Sequence, residues 1–307
     1  MVAMTILAWA YFKYGNLGFV NSIFMGLGGL VVALLADATL IIGKSDFGKI
    51  NRYSYKGFII SAIAFSGIYF LHWNVICIVL ITGALGFFFF YFSGEFAKEE
   101  IADHLMVETD TPKTSEIVNL LPVAGLIAFL AIIFRIVPGT WTIFATFFTI
   151  GMFGFGGGFS AIPLIRHVAV DGMHWLDLTA FRDGIALGQI TPGPVFITAT
   201  FIGYKVKGII GALIATIGVF APSMTAVMLI GKAHARIKNV KIVKVIIKGF
   251  LSGFIGLLLA VTIDFGVHSL VNLQIWAIFI LSAAYLIWWK KNVAWLVLAV
   301  IAVSLVL

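Results

Sequence analysis

The chain has 307 residues, 62% of them hydrophobic and 11% charged, with a mean hydropathy of +1.11 and a formal net charge of +7. A soluble domain carries roughly 25% charged residues, so this composition excludes a water-facing surface. The excess Lys and Arg lies mostly in short loops between apolar runs, the placement that orients membrane segments and meets anionic lipid, and no nucleic-acid partner is expected.

Apolar segments fall at about 1–12, 18–43, 57–71, 74–93, 118–136, 140–165, 183–203, 208–231, 246–267, 273–289 and 292–307. Runs of roughly 18 apolar residues cross about 30 Å of hydrocarbon as a helix. The expected fold is therefore an all-α, polytopic transmembrane bundle of ten or eleven membrane segments. The first run, Met1 to Phe12, has no basic leader and no small-residue cleavage site, and reads as a membrane helix. Cys77, the single cysteine, sits in an apolar run and has no partner for an internal disulfide.

The one long polar stretch, from Ser93 to Glu116, contains Glu95, Glu99, Glu100, Asp103, Glu108 and Asp110. It divides the chain into a partial first transmembrane repeat (1–93), an acidic linker (94–117) and a second repeat (118–307). Gly15 to Leu40 aligns without gaps on Lys238 to Ile263, pairing Asn16 with Asn239, Gly26 with Gly249 and Thr39 with Thr262. After a short deletion Asn74 and Val75 fall on Asn292 and Val293. Equivalent loops carry opposite basic bias, as an inverted repeat requires. Lys44, Lys49, Arg52 and Lys56 face none in Asp264 to Asn272, while the loop at Lys13 faces Lys232, Arg236, Lys238, Lys241, Lys244 and Lys248. The loops at 44–56, 232–248 and 290–291 are thus expected in the cytoplasm, with the linker. Lys205 and Lys207 break the pattern unless re-entrant segments near 151–165 and 188–203 change the route.

Between Ile150 and Pro222 the composition changes. Gly154-Phe155-Gly156-Gly157-Gly158 and Ile162-Pro163 are followed by Gln189-Ile190-Thr191-Pro192-Gly193-Pro194. Clustered Gly and Pro interrupt helices, and open backbone at membrane depth is tolerated only against protein or a wet cavity. Exposed amides at such breaks attract anions. The candidate binding residues are Gly156, Gly157, Gly158, Ser160, Gln189, Thr191, Pro192, Gly193, Pro194 and Thr198, with Thr200 a further hydroxyl. The polar stretch between the two breaks reads as an interfacial loop anchored by Trp175. It supplies coupling or gating candidates in Arg166, His167, Asp171, Arg182 and Asp183. Asp37 and Asp264 are acids in apolar surroundings, which marks them too. No nucleophile and base pairing, metal-ligand spacing or phosphate loop in a βαβ context is found, so neither an enzyme nor a resident metal or cofactor is expected.

These motifs identify a resemblance. The stretch from Phe153 to Ser223 resembles the chromate ion transporter (CHR) family at Phe155-Gly156-Gly157-Gly158, Pro163-Leu164-Ile165, Trp175, Phe181, Gly188-Gln189, Thr191-Pro192-Gly193-Pro194, Gly203-Tyr204 and Pro222-Ser223. The resemblance implies chromate transport in a bacterial or archaeal inner membrane, often as efflux, with sulfate as a close analogue. It also implies two homologous halves of opposite orientation. Two departures stand out. Met1 aligns with Met224, which leaves residues 140–223 without a first-half counterpart. Val168 stands where many relatives carry Glu, so His167 or Asp171 would have to serve if that acid couples protons. Chromate efflux by alternating access is the expectation. Sulfate or other oxyanion uptake, or a non-transporting partner subunit or incomplete remnant, stays open, as does a homodimer or second subunit that completes the first repeat.

Overall fold

The computed structural model describes residues 1–15, 17–47, 54–91, 130–154, 158–191, 193–230, 241–288 and 293–305. The acidic linker, most of the basic loops, Gly156, Gly157 and Pro192 lie outside the described residues. Among the described residues every regular element is helical: α1 (Val2–Tyr14), α2 (Gly18–Phe47), α3 (Ser54–Tyr69), α4 (Val75–Tyr91), α5 (Thr140–Phe153), α6 (Ala161–Arg166), α7 (Leu178–Ile190), α8 (Thr198–Ile230), α9 (Lys241–Ser269), α10 (Leu273–Trp288) and α11 (Val293–Ser304). Short 3-10 turns at Gly158–Ser160 and Val195–Ile197 precede α6 and α8, and a π-helical turn, His167–Gly172, extends α6.

Large apolar side chains cover the outside, including Leu273, Trp288, Leu281 and Phe58. A water-soluble monomer rarely shows more than a few hundred Å² of such surface, whereas lipid favours it. Among the described residues three helical stretches have the length and apolarity to cross a membrane: Gly18–Lys44, Val195–Ala226 and Ile242–Ser269. The second does not cross as one rod. At Lys207 and Gly208 the backbone leaves the helical region, with Gly208 at φ 58°, a left-handed conformation that glycine adopts without a steric penalty. The chain doubles back there, so that Thr200 and Thr216 share a hydroxyl hydrogen bond of 2.8 Å.

The long helices α2 and α9 run in opposite directions at the centre, and each is covered by a helix pair from the other end of the chain. α3 and α4 pack on α9, while α10 and α11 pack on α2. A Cβ added at Gly26 would collide with the Ser304 side chain, and one added at Gly249 would collide with the Gly86 backbone. Gly26 and Gly249 are aligned positions, and the Asn74 to Asn292 register carries Gly86 onto Ser304. The close approaches therefore fall at positions paired by the sequence alignment, and small residues permit both.

Lys56 donates to the Phe89 carbonyl and Lys248 stands over the Phe90 ring, so the basic ends of α3, α4 and α9 share one end of the bundle. Lys205 remains at the opposite end even with re-entrant segments, its ammonium 4.8 Å from the Phe12 ring centroid. Lys207 lies beside Gly139 at the same end.

Candidate functional site: two helix hairpins that meet at depth

Both interrupted segments form hairpins entering from the end that holds Gly139, Asp177 and Lys207. The first descends as α5, breaks after Gly154 and returns through α6 and the π turn. The second descends as α7, breaks at Thr191 and returns through the 3-10 turn and residues 198–206 of α8. α5 has 14 residues and α7 has 13. At 1.5 Å per residue each spans only about 20 Å, short of the roughly 30 Å of hydrocarbon, so neither arm is long enough to cross a membrane.

The tips touch. A Cβ on Gly158 would lie 2.9 Å from the Val195 Cβ and 3.0 Å from its backbone nitrogen, and one on Gly154 would strike the Phe196 ring. Any larger residue at Gly158 must push the second hairpin away. Ser160 and Thr198 are buried, Thr191 nearly so, and Gln189 half-buried. The Thr191 hydroxyl donates to the Gly188 carbonyl and that of Thr198 to the Val195 carbonyl, each at 2.9 Å. These hydroxyls close the broken helix ends locally, each spending its one proton on that bond. Gly193 and Pro194 are exposed, and a Cβ on Gly193 would meet nothing within 4 Å. The tip thus pairs a tight contact at Gly158 with an open edge at Gly193.

The other candidates separate into two groups, and neither lies in an interfacial loop. Arg166 to Gly172 is helical, because α6 runs on into the π turn. Arg182 and Asp183, expected near a solvated loop, are 9% and 3% exposed within α7. The helix is started by Asp177, whose carboxylate accepts from the Ala180 N–H at 2.6 Å. Arg182 donates through Nε and Nη2 to Asp183 Oδ1 at 3.1 and 2.9 Å, and through Nη1 to Ser269 at 3.1 Å. The Tyr11 hydroxyl donates to Asp183 Oδ2 at 2.9 Å. A Cβ on Gly28 would stand 2.9 Å from Arg182 Nη1, so the guanidinium lies flat against the α2 backbone. The cluster ties the second hairpin to α1, α2 and α9.

Sequence reasoning missed Tyr11, Gly28 and Ser269, which carry no periodic or motif signal of their own. The signal for Arg182 and Asp183 was present: adjacent charges inside Phe181 to Ile190, an otherwise apolar and small-residue run. The structure buries a fixed cation in α7, with its N–H groups directed to Asp183 and Ser269. The second group, Arg166, His167 and Asp171, faces Asp264 on α9, with Arg166 Nη2 3.0 Å from Asp264 Oδ2. Val168 instead packs against the apolar core, and Asp37 is half-buried on α2.

Re-entrant hairpins meeting inside a bundle of apolar helices place this chain among multi-pass membrane transporters. A family model described as chromate transporter matches residues 141–305. An uncharacterized transporter of Methanocaldococcus jannaschii is 33% identical over 309 residues, covering 99% of this chain and 72% of the relative. A chromate transport protein of Pseudomonas aeruginosa is 36% identical over 164 residues, 51% of this chain and 39% of that protein. One of Cupriavidus metallidurans is 24% identical over 289 residues, 93% of this chain and 66% of that protein. The chain belongs to the chromate transporter family. It spans between two fifths and three quarters of these relatives' lengths. No solved structure matches it.

Proposed function

We propose that the protein moves a tetrahedral oxyanion, chromate, across a bacterial or archaeal plasma membrane by alternating access, with the anion held between the two hairpin tips. The observation that carries this reading is the contact of Gly158 with Val195 beside the open edge at Gly193 and Pro194. The return arm that begins at Val195 is a helix N-terminus, and its first N–H groups point toward the tip. The amide of Gln189 supplies neutral N–H donors nearby, and the hydroxyls of Thr191 and Thr198 donate to an anion only by turning from the Gly188 and Val195 carbonyls, with the buried Ser160 hydroxyl in the neighbouring 3-10 turn. The chromate transport proteins among the relatives support the choice of substrate.

The pairing of α2 and α9, each covered by the other half's helices, supports a division into two inverted halves at the acidic linker. Rocking of one half against the other would expose the tips alternately. By the positive-inside rule the end with Lys56 and Lys248 is cytoplasmic and the hairpins enter from outside. Moving two negative charges out of a negative-inside cell is favoured by about 4.6 kcal/mol per 100 mV, which supports efflux driven by membrane potential.

The test is uptake of radiolabelled chromate by proteoliposomes under an imposed potential. Transport that follows the sign of the potential and is inhibited competitively by excess sulfate fits the reading. Absence of transport under either polarity, with the protein folded, rejects it.

A further inference from the structure

A second polar site lies away from the hairpin tips. A cavity of about 500 Å³ is lined by Tyr69, His72, Trp73, Arg166, His167, Asp171 and Asp264, with Ile68 and Ala260 as its apolar wall. Its volume falls in the range of small-ligand sites. Four separate parts of the chain build it: the end of α3, the turn before α4, the π turn and α9. Two features there are uncommon. His72 has φ 51°, a conformation disfavoured for a residue with a Cβ. The π turn of the first hairpin is of a rare kind that is frequent at functional sites.

Arg166 is the cation of this cavity, and its donors are poorly used. Its side chain is 20% exposed, and its Nε is buried with no hydrogen-bond acceptor. Asp264 Oδ2 comes within 3.0 Å of Nη2, yet it too lacks a hydrogen bond. The approach is an ion contact lying off the N–H direction, and a guanidinium bonds best when two parallel N–H groups meet two oxygens. Asp171 is 3.9 Å away from Nη2. The other oxygen of Asp264, Oδ1, faces His268 Nδ1 at 3.5 Å. His268 is exposed, and its Nδ1 also lies 2.8 Å from the Asp264 carbonyl oxygen. Asp264 therefore has a second partner within reach if it leaves Arg166.

We propose that this cavity is a second, peripheral oxyanion site, in which a tetrahedral dianion takes the Nε and Nη2 donors of Arg166 while Asp264 turns to His268. The proposal rests on the reading of the protein as an oxyanion carrier: the cavity sits at the end of the bundle away from Lys56 and Lys248, so an outward-moving anion reaches it after the hairpin tips, as a release site. The two carboxylates make the empty cavity unfavourable to a dianion, so Asp264 acts as a competitor for Arg166. That role gives the two members of one ion pair opposite expected effects. Removing Arg166 removes the donors, whereas neutralising Asp264 frees them.

The experiment is equilibrium titration of the full chain, purified in detergent, with chromate, whose near-ultraviolet absorption overlaps tryptophan emission. Quenching of Trp73 is read as the difference between each protein and its Trp73→Phe counterpart, with transport measured in parallel. Saturable Trp73 quenching is expected in the parent protein, displaced by sulfate. Asp264→Asn should tighten it on the order of tenfold, one unit on the logarithmic affinity scale, and Arg166→Gln should abolish it. Weakening by Asp264→Asn as well as by Arg166→Gln marks a merely structural ion pair and overturns the proposal, as does quenching that never saturates. Quenching without transport in the parent protein would sink the carrier reading and leave the cavity a binding site. Transport without saturable quenching would sink the cavity alone.

Discussion

The hairpin tips and the Arg182 cluster are both polar features kept away from bulk water, and they meet that constraint in different ways. At the tips the polarity belongs to backbone and neutral hydroxyls, closed locally by Thr191 and Thr198. In the cluster it belongs to two full charges held by partners from α1, α7 and α9. Neutral donors let a ligand come and go without stranding a charge in a low-dielectric place. A buried ion pair is costly to break, so the cluster acts as a joint between α7 and the helices α1, α2 and α9, while the tips are suited to exchange.

That contrast is broken most severely at Arg182. Arg182→Ala leaves the Asp183 carboxylate buried without its cation, and the loss should be about 3 to 5 kcal/mol, read as a large drop in unfolding temperature or in folded yield. Replacing both charges together, as Arg182→Met with Asp183→Leu, should recover most of the stability. Transport by the double variant then tells whether the pair does more than join helices. Gly158→Leu comes next. Overpacking against Val195 should cost about 1 to 3 kcal/mol and reduce transport at least tenfold in protein that still elutes as a folded species. Tyr11→Phe removes one donor to Asp183 and should cost about 1 kcal/mol, measured by thermal unfolding, with the helix bundle unchanged. Gly193→Ala should lie within about 0.5 kcal/mol of the parent, because the added methyl meets open space.

Much of this arrangement was legible in the sequence, and the reason is local. Gly-rich and Pro-Gly-Pro runs interrupt helices wherever they occur, so the two breaks and the all-α bundle could be read from residues within a few positions of each other. The aligned glycines Gly26 and Gly249 were legible for a similar reason, since a repeat shows itself in register. The continuation of α6 through Arg166 to Gly172 was hidden, because charged residues in that stretch suit a loop as well as a helix facing a cavity. The partners of Arg182 were hidden more deeply. Tyr11 and Ser269 lie 171 positions before and 87 positions after it, and no periodicity links residues so far apart. The Arg166 cavity is assembled in the same manner, from His72, Trp73 and Asp264 at remote places in the chain.

The account turns on an anion occupying the space between the tips, and thiol protection tests it most directly. In a Cys77→Ser background, needed because Cys77 is exposed, a single cysteine is placed by Gly193→Cys or, as a control, at the exposed Gly18. Its reaction with a membrane-impermeant maleimide is timed with and without sulfate, a tetrahedral dianion that does not oxidise thiols. Sulfate should slow labelling several-fold at position 193 and leave it unchanged at position 18. Equal rates with and without sulfate at position 193, in protein that transports chromate with sulfate as a competitor, would contradict an anion site at the hairpin tips.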